Sequence, residues 1–301
     1  MSVTAESVKQ LRERTGAGMM ECKRALVETG GDQDAAAELM RKQGLAKADK
    51  KAARVAAEGV VMVEKAADGR AAAMVEVNCE TDFVAREQDF RGFAADVTRA
   101  ALAARAGSVE AVLAAKLPSG DTADERRRAL VAKIGENISV RRVVVVESQG
   151  QIGAYLHGGR IGALVAIEGG DAELARDIAM HVAASNPRYL SAAQVPAAEV
   201  AKEREILTEQ ARGDAKNQGK PDNILAKIVE GKVGKALSEI TLLGQPFVRD
   251  DKQTVEKLLA GAKAKVTAFE RFEVGAGIEK RQDDFVAEVM AQVKGASGSK
   301  H

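Results

Sequence analysis

The sequence predicts an α+β protein: a three-helix N-terminal module, a duplicated core with antiparallel sheets, a protruding antiparallel coiled-coil hairpin and a C-terminal helix. Three observations carry this. Helical spacing with no strand pattern fills residues 1–55; period-two apolar runs begin at Gly59 and return at an offset of 90; and apolar residues at alternating steps of three and four run from Ala226 to Leu243.

The N-terminal module and linker occupy 1–55. Val8 and Leu11 mark a first amphipathic helix, stopped at Thr15-Gly16-Ala17-Gly18, where two glycines allow a tight reversal. Met19, Met20, Cys22, Ala25 and Leu26 form the apolar stripe of a second, and Asp32 suits the N-cap of a third that runs through Leu39 and Met40. Residues 46–57 are basic and Ala-rich, and read as a helical linker with a solvated face.

A first core subdomain is expected over 56–139. Val60 to Val63 and Ala73 to Val77 are β-prone runs joined by Asp68-Gly69, a hairpin signal. Helices follow at 87–104, with Phe90, Phe93, Val97 and Leu102 on one side, at 108–115, and at 122–134, where Thr122 and Glu125 have capping-box spacing. A second block is placed at 140–195, with strands at 142–147, 150–156 and 161–167 and a helix at 171–184. Gly59 to Val77 overlies Gln149 to Ile167; beyond the strand the offset falls from 90 to 85, so the first copy carries five extra residues, Thr81 to Ala85.

The coiled-coil hairpin is read over 196–243, divided by Gly219-Lys220-Pro221-Asp222. Ala226, Val229, Val233, Ala236, Ile240 and Leu243 make a seam on its second helix. Residues 244–277 complete the second subdomain, with a short helix after Val248 and a strand from Val266 to Val274 that finishes its sheet; 278–301 hold a terminal helix from Ile278 to Val293 and a tail.

Composition narrows function. The 301 residues carry 45 Lys and Arg against 44 Asp and Glu, a net charge of +1 that offers no bulk attraction to nucleic acid or an anionic membrane. No apolar run is long enough to span a bilayer, and the first 20 residues hold charges where a signal peptide needs an apolar stretch, so a cytoplasmic location is expected. Cys22 and Cys79 lie 57 residues apart without a CxxC partner, and three histidines complete the ligand inventory, so neither a metal site nor a disulfide is expected. No phosphate-cradling loop or nucleophile motif occurs; Gly231-Lys232-Val233-Gly234-Lys235 lacks the spacing and the hydroxyl. The expectation is a protein that is no enzyme, with no cofactor and no direct nucleotide binding.

The unusual stretch is Asn78 to Arg86, which includes one of only seven Phe. It reads either as a helix start, capped by Thr81 or Asp82 with Phe83 stapled into the local core, or as a functional loop on a rigid scaffold.

Leu11 to Leu26 and Glu76 to Arg86 resemble the two signature stretches of the bacterial elongation factor Ts family. Further matches are Lys133 to Ile138, His157 to Gly162, Ala179 to Ala184 and Gly244 to Val248, so the resemblance covers nearly the whole chain. It implies a guanine-nucleotide exchange factor for elongation factor Tu, met in its GDP-bound and nucleotide-free forms, with a ubiquitin-associated-like N-terminal module. It also implies site residues. Thr81, Asp82, Phe83 and Val84 would face the GTPase domain, Phe83 as a wedge between its helices and the Asp82 loop disturbing its magnesium site. Arg12, Thr15, Gly16, Met19, Met20 and Lys23 would grip the same domain, as would the terminal helix. His157, Gly158 and Arg160 would face a distal barrel domain, although His157 reads equally as a polar turn residue. The rival reading is an RNA-binding adaptor of the translation machinery without exchange activity, favoured by the basic stretch 46–55.

Overall fold

The computed structural model describes residues 3–279, apart from the side chains at positions 45–47 and 49. The expected terminal helix and tail lie outside the described residues. Helix α1 (Ala5–Thr15) opens with a capping box between Thr4 and Ser7 and stops at Gly16. Helices α2 (Met19–Glu28) and α3 (Gln33–Lys51) follow, and Val8, Leu11, Cys22, Ala25, Leu26 and Ala36 form their shared core. Two expectations change here. Met19 and Met20 leave the stripe and are 50% and 66% exposed, because Cys22, Ala25 and Leu26 already form the buried i, i+3, i+4 face. The supposed linker up to Lys51 is the second half of α3, with Ala48 buried in the first core cluster.

The first half of the core contains β1 (Glu58–Lys65), β2 (Ala71–Cys79), α4 (Asp82–Arg86), α5 (Gln88–Ala104), α6 (Val109–Ala114), α7 (Ala123–Ile134) and β3 (Ser139–Glu147). The second contains β4 (Gln151–His157), β5 (Ile161–Glu168), α8 (Ala172–Ser185), the helix pair α9 (Ala197–Gly213) and α10 (Asp222–Ile240), the short strands β6 (Pro246–Phe247) and β7 (Asp250–Thr254), α11 (Val255–Gly261) and β8 (Lys265–Glu273). The strand expected to open the second block is β3, and it belongs to the first sheet, whose order is β1-β2-β3; the second sheet is β4-β5-β8. β8 thus finishes the second sheet as expected. The β6–β7 hairpin was not legible in the sequence, because two residues of strand give no period to read.

Side-chain alternation along β2 sets the layers. Ala73, Val75 and Val77 join the cluster that holds Phe90, Phe93 and Val97 of α5, whereas Ala72 and Met74 join Ile152, Leu164, Ala166 and Phe272 between the two sheets. On the far side Ala163, Val165 and Ile167 pack on Ala175, Ile178, Ala179 and Val182 of α8. The core is therefore helices, sheet, sheet, helix. Glu76 is buried on the inner face, where its carboxylate accepts from Arg141, Arg142 and the Gly275 amide, which fastens the segment after β8 to the first sheet.

The two halves repeat in hydrogen-bond detail. Both central strands carry their register shift at the same place, between Glu76 and Val77 and between Ala166 and Ile167, an offset of 90. Each hairpin turn bonds to the first strand of the other half: Val61 N donates to Gly159 O (2.8 Å) and Ile152 N to Gly69 O (3.0 Å). The first strands, however, are offset by 91 and not 90, since Val60 stands opposite Val77 as Gln151 does opposite Ile167. Gly59 therefore matches Gly150 and not Gln149, and a Cβ on either glycine would lie 2.1 or 2.0 Å from a carbonyl oxygen of the neighbouring strand. The offset between α5 and α8 reflects α4, so the extra residues of the first half form a helix of their own.

Helices α9 and α10 pack on one another through Ala211, Val229 and Val233, with Val200, Leu207 and Leu237 beside them. Of the expected seam, Ala226 is exposed, Leu237 takes the place of Ala236, and Leu243 lies past the helix in the second core cluster.

Candidate functional site

The site grows from the exit of β2. Thr81 is the N-cap of α4: its Oγ accepts from Val84 N at 3.4 Å, and Asp82 is the first helical residue. The two apolar side chains that follow are consecutive, about 100° apart around the helix, and so face different ways. Val84 is 7% exposed and belongs to the first core cluster; Phe83 is 77% exposed, the largest value among the exposed large hydrophobic residues described. Of the two sequence readings, the core staple falls to Val84, and Phe83 points outward. Asp82 forms an i, i+4 pair with Arg86 at 2.7 Å.

The loop that aims α4 is closed by carboxylates. Helix α7 ends at Gly135 in the left-handed region (φ 89°), which turns the chain so that Glu136 faces the β2 exit. Glu136 Oε2 accepts from Glu80 N (3.1 Å) and Thr81 N (3.0 Å), and its Oε1 accepts from Thr81 Oγ (2.6 Å). In return Glu80 Oε1 accepts from Asn137 N (2.6 Å), and Asn137 Nδ2 donates to Ala52 O and Arg54 O. Sequence reasoning assigned no role to Glu136, Glu80 or Asn137. Cys79 lies beneath this loop; burial, then the charges of Glu136 and Glu58, push its thiol up to about 12. It is a protonated donor to Thr81 O and not a nucleophile.

The other expected site residues flank the start of α5. Gly16, in the α1–α2 turn, lies against the side chain of Lys133, which pairs with Asp89 at 2.6 Å and holds that carboxyl below its ordinary range. Arg12, Met19, Met20 and Lys23 are exposed, whereas Thr15 is half-buried with its hydroxyl donating to Leu11 O. On the other side, Gly159 of the β4–β5 turn approaches Arg91. In that turn His157 is exposed and stacked on Tyr155 (ring centroids 6.4 Å apart), Gly158 is exposed, and Arg160 pairs with Glu58 at 2.7 Å. Glu58 stands opposite Cys79 in the β1–β2 ladder, so this turn is tied to the strand exit that leads to Phe83. Val84 is set apart from the exposed group by its burial. Among the described residues no group of three or more His, Cys, Asp or Glu is placed to hold a metal ion, and no helix is long and apolar enough to cross a membrane.

A family model described as Elongation factor TS matches residues 80–276, from the β2 exit to the end of the core. The chain belongs to the elongation factor Ts family. Among curated relatives named Elongation factor Ts, that of Methylococcus capsulatus is 60% identical over 295 residues, 98% of this chain and 99% of the relative. That of Alkalilimnicola ehrlichii is 54% identical over 297 residues, 98% and 100% of the two chains, and that of Xanthomonas campestris pv. campestris is 56% identical over 292 residues, 97% and 99%. The likeness to elongation factor Ts thus includes the N-terminal helices that the family model leaves out.

Proposed function

We propose that the chain is a translation elongation factor that binds GDP-bound elongation factor Tu and speeds GDP release so that GTP can reload, without making or breaking a covalent bond. The observation that carries the reading is Phe83: an aromatic ring 77% exposed on a helix that the second half of the core lacks. A large apolar side chain held out on a rigid support is disposed to insert into a partner, and covering it contributes about 1.5–3 kcal/mol of contact.

Linkage gives the mechanism. A factor that binds the nucleotide-free GTPase more tightly than the GDP form weakens GDP binding by the same factor, at about 1.4 kcal/mol for each tenfold. Phe83 is the wedge between helices of the GTPase, and the Asp82 loop disturbs the magnesium ion that bridges protein and phosphates. Asp82 is paired with Arg86 in the unbound chain, so engagement at the ion site exchanges one charge partner for another.

One wedge falls short of the differential binding needed, and the remaining modules hold the factor in place. The N-terminal helices act as a ubiquitin-associated-like module through Arg12, Thr15, Gly16, Met19, Met20 and Lys23. His157, Gly158 and Arg160 face the distal domain of the partner, and α9–α10 serve as a coiled-coil hairpin. Part of the basic stretch behind the RNA-adaptor reading is taken up by the fold, with α3 running to Lys51, Ala48 buried and Lys51 donating to Gly135 O. The test is release of a fluorescent GDP analogue from purified elongation factor Tu with and without the chain: acceleration supports the proposal, and an unchanged rate with the chain in excess refutes it.

A further inference from the structure

We propose that Glu136 is a positioning residue for exchange, which fixes the direction of Phe83 through the cap of α4 without touching the partner. The proposal rests on the reading of Phe83 as a wedge. A carboxylate at this position takes three donors from two consecutive residues: both backbone amides of the β2 exit and the Thr81 hydroxyl. The third bond sets the mechanism. Because Thr81 donates its only hydroxyl proton to Glu136 at 2.6 Å, an oxygen lone pair is left to accept Val84 N, the bond that caps α4. Glu136 thus orients the capping oxygen two residues before Phe83.

A five-residue helix makes few bonds of its own, and its direction depends on what holds its ends. The far end is held by Val84 and Ala85 in the core. The near end is held by Glu136, seated just after the Gly135 turn and stabilised by the reciprocal Glu80–Asn137 bond. With both ends fixed, the ordering of the wedge is complete before the partner arrives, and binding energy is spent on the GTPase and not on the loop. Without Glu136, two amides and a hydroxyl turn to water and the ring samples several directions, most of them unproductive.

The experiment is a double-mutant cycle on full-length protein. Wild type, Glu136→Ala, Phe83→Ala and the double variant are compared for the maximal rate of GDP-analogue release, the factor concentration giving half that rate, and the thermal midpoint of the factor alone. Glu136→Ala is expected to lower the maximal rate about tenfold while the half-maximal concentration moves less than about threefold, and the double variant is expected to release within about twofold of Phe83→Ala. Glu136→Gln, which keeps one acceptor oxygen, falls between wild type and alanine. If Glu136→Ala unfolds, Glu136→Gln and Thr81→Val replace it in the same cycle. A slow Phe83→Ala beside an unaffected Glu136→Ala, or effects that multiply in the double variant, overturns the positioning role and leaves the wedge standing. A Phe83→Ala that releases GDP at the wild-type rate removes the wedge itself.

Discussion

Phe83 and Val84 are consecutive residues of one short helix, yet the first is 77% exposed and the second 7%. Truncating them therefore separates function from stability. Phe83→Ala is expected to leave the unfolding free energy of the isolated chain within about 0.5 kcal/mol of wild type and to slow GDP release by about an order of magnitude. Val84→Ala is expected to cost about 1–2 kcal/mol by creating a cavity in the core. Urea unfolding and stopped-flow nucleotide release on both variants check this; a Phe83→Ala loss of several kcal/mol would reject the outward wedge.

His181 is expected to make the fold acid-sensitive. Its Nδ1 accepts from Val248 N (3.1 Å), so the proton sits on Nε2, which donates to Gln245 Oε1 at 2.9 Å. Burial lowers its pKa from 6.5, and the Gln245 bond only partly opposes this. The unfolded chain thus takes up the proton first, so this contribution to stability is complete above about pH 6.5 and is lost as pH falls below it. Thermal midpoints between pH 8 and pH 5 should fall more steeply for wild type than for His181→Gln; parallel curves would show that His181 is not the group responsible.

Cys79 should act at the alkaline end. Its thiol is raised from 9.0 to about 12, so the folded state holds the proton more tightly than the unfolded chain. Stability from this group is complete below about pH 9 and declines as pH rises toward 12. Cys79→Ala should flatten the decline of the urea midpoint between pH 8.5 and 10.5. The native chain should also resist alkylation at pH 8, since both thiols are buried; rapid labelling of Cys79 would contradict the geometry.

Removal of residues 1–55 should destabilise the core. The sequence reading expected few contacts across a solvated linker, but Ala48 is buried in the first core cluster and Asn137 donates to Ala52 O and Arg54 O. The truncation takes away both acceptors and strands the Asn137 amide at about 1–3 kcal/mol, and the thermal midpoint should drop by several degrees. An unchanged midpoint would restore the independent module.

The helix pair should be the more dispensable part, provided its base is kept. Gln245 Nε2 donates to Glu239 O, and Arg188 and Tyr189 both bond Glu199, so a replacement reaching those positions damages the core. Replacing 203–234 with a Gly-Ser turn leaves these bonds intact, and a soluble protein with a cooperative melt is expected.

Much of the fold was legible because its signals are local. Thr122 and Glu125 announce a capping box, Asp68-Gly69 a hairpin, and the alternation at 266–274 a strand, and each is found. The allegiance of β3 was not legible: four helices separate it from β2, and the nearer strand in sequence is β4. The direction of Phe83 was hidden because five residues of helix are too few to show a period. Glu136 was hidden for a different reason. Its partners are two backbone amides and a threonine hydroxyl 55 and 56 residues away, and none of these carries a charge whose pairing with a carboxylate the sequence could reveal.

The two halves of the core differ chiefly in what is spliced between the helix and the last strand: α6 and α7 in one, α9 through α11 in the other. Two unrelated elaborations have entered at one junction of a repeated unit, and in both the third strand still returns beside the second with its register shift in the same place. That junction is a permissive socket, so a foreign domain with closely spaced ends, grafted there in place of residues 203–234, should be carried as cargo on an undisturbed frame.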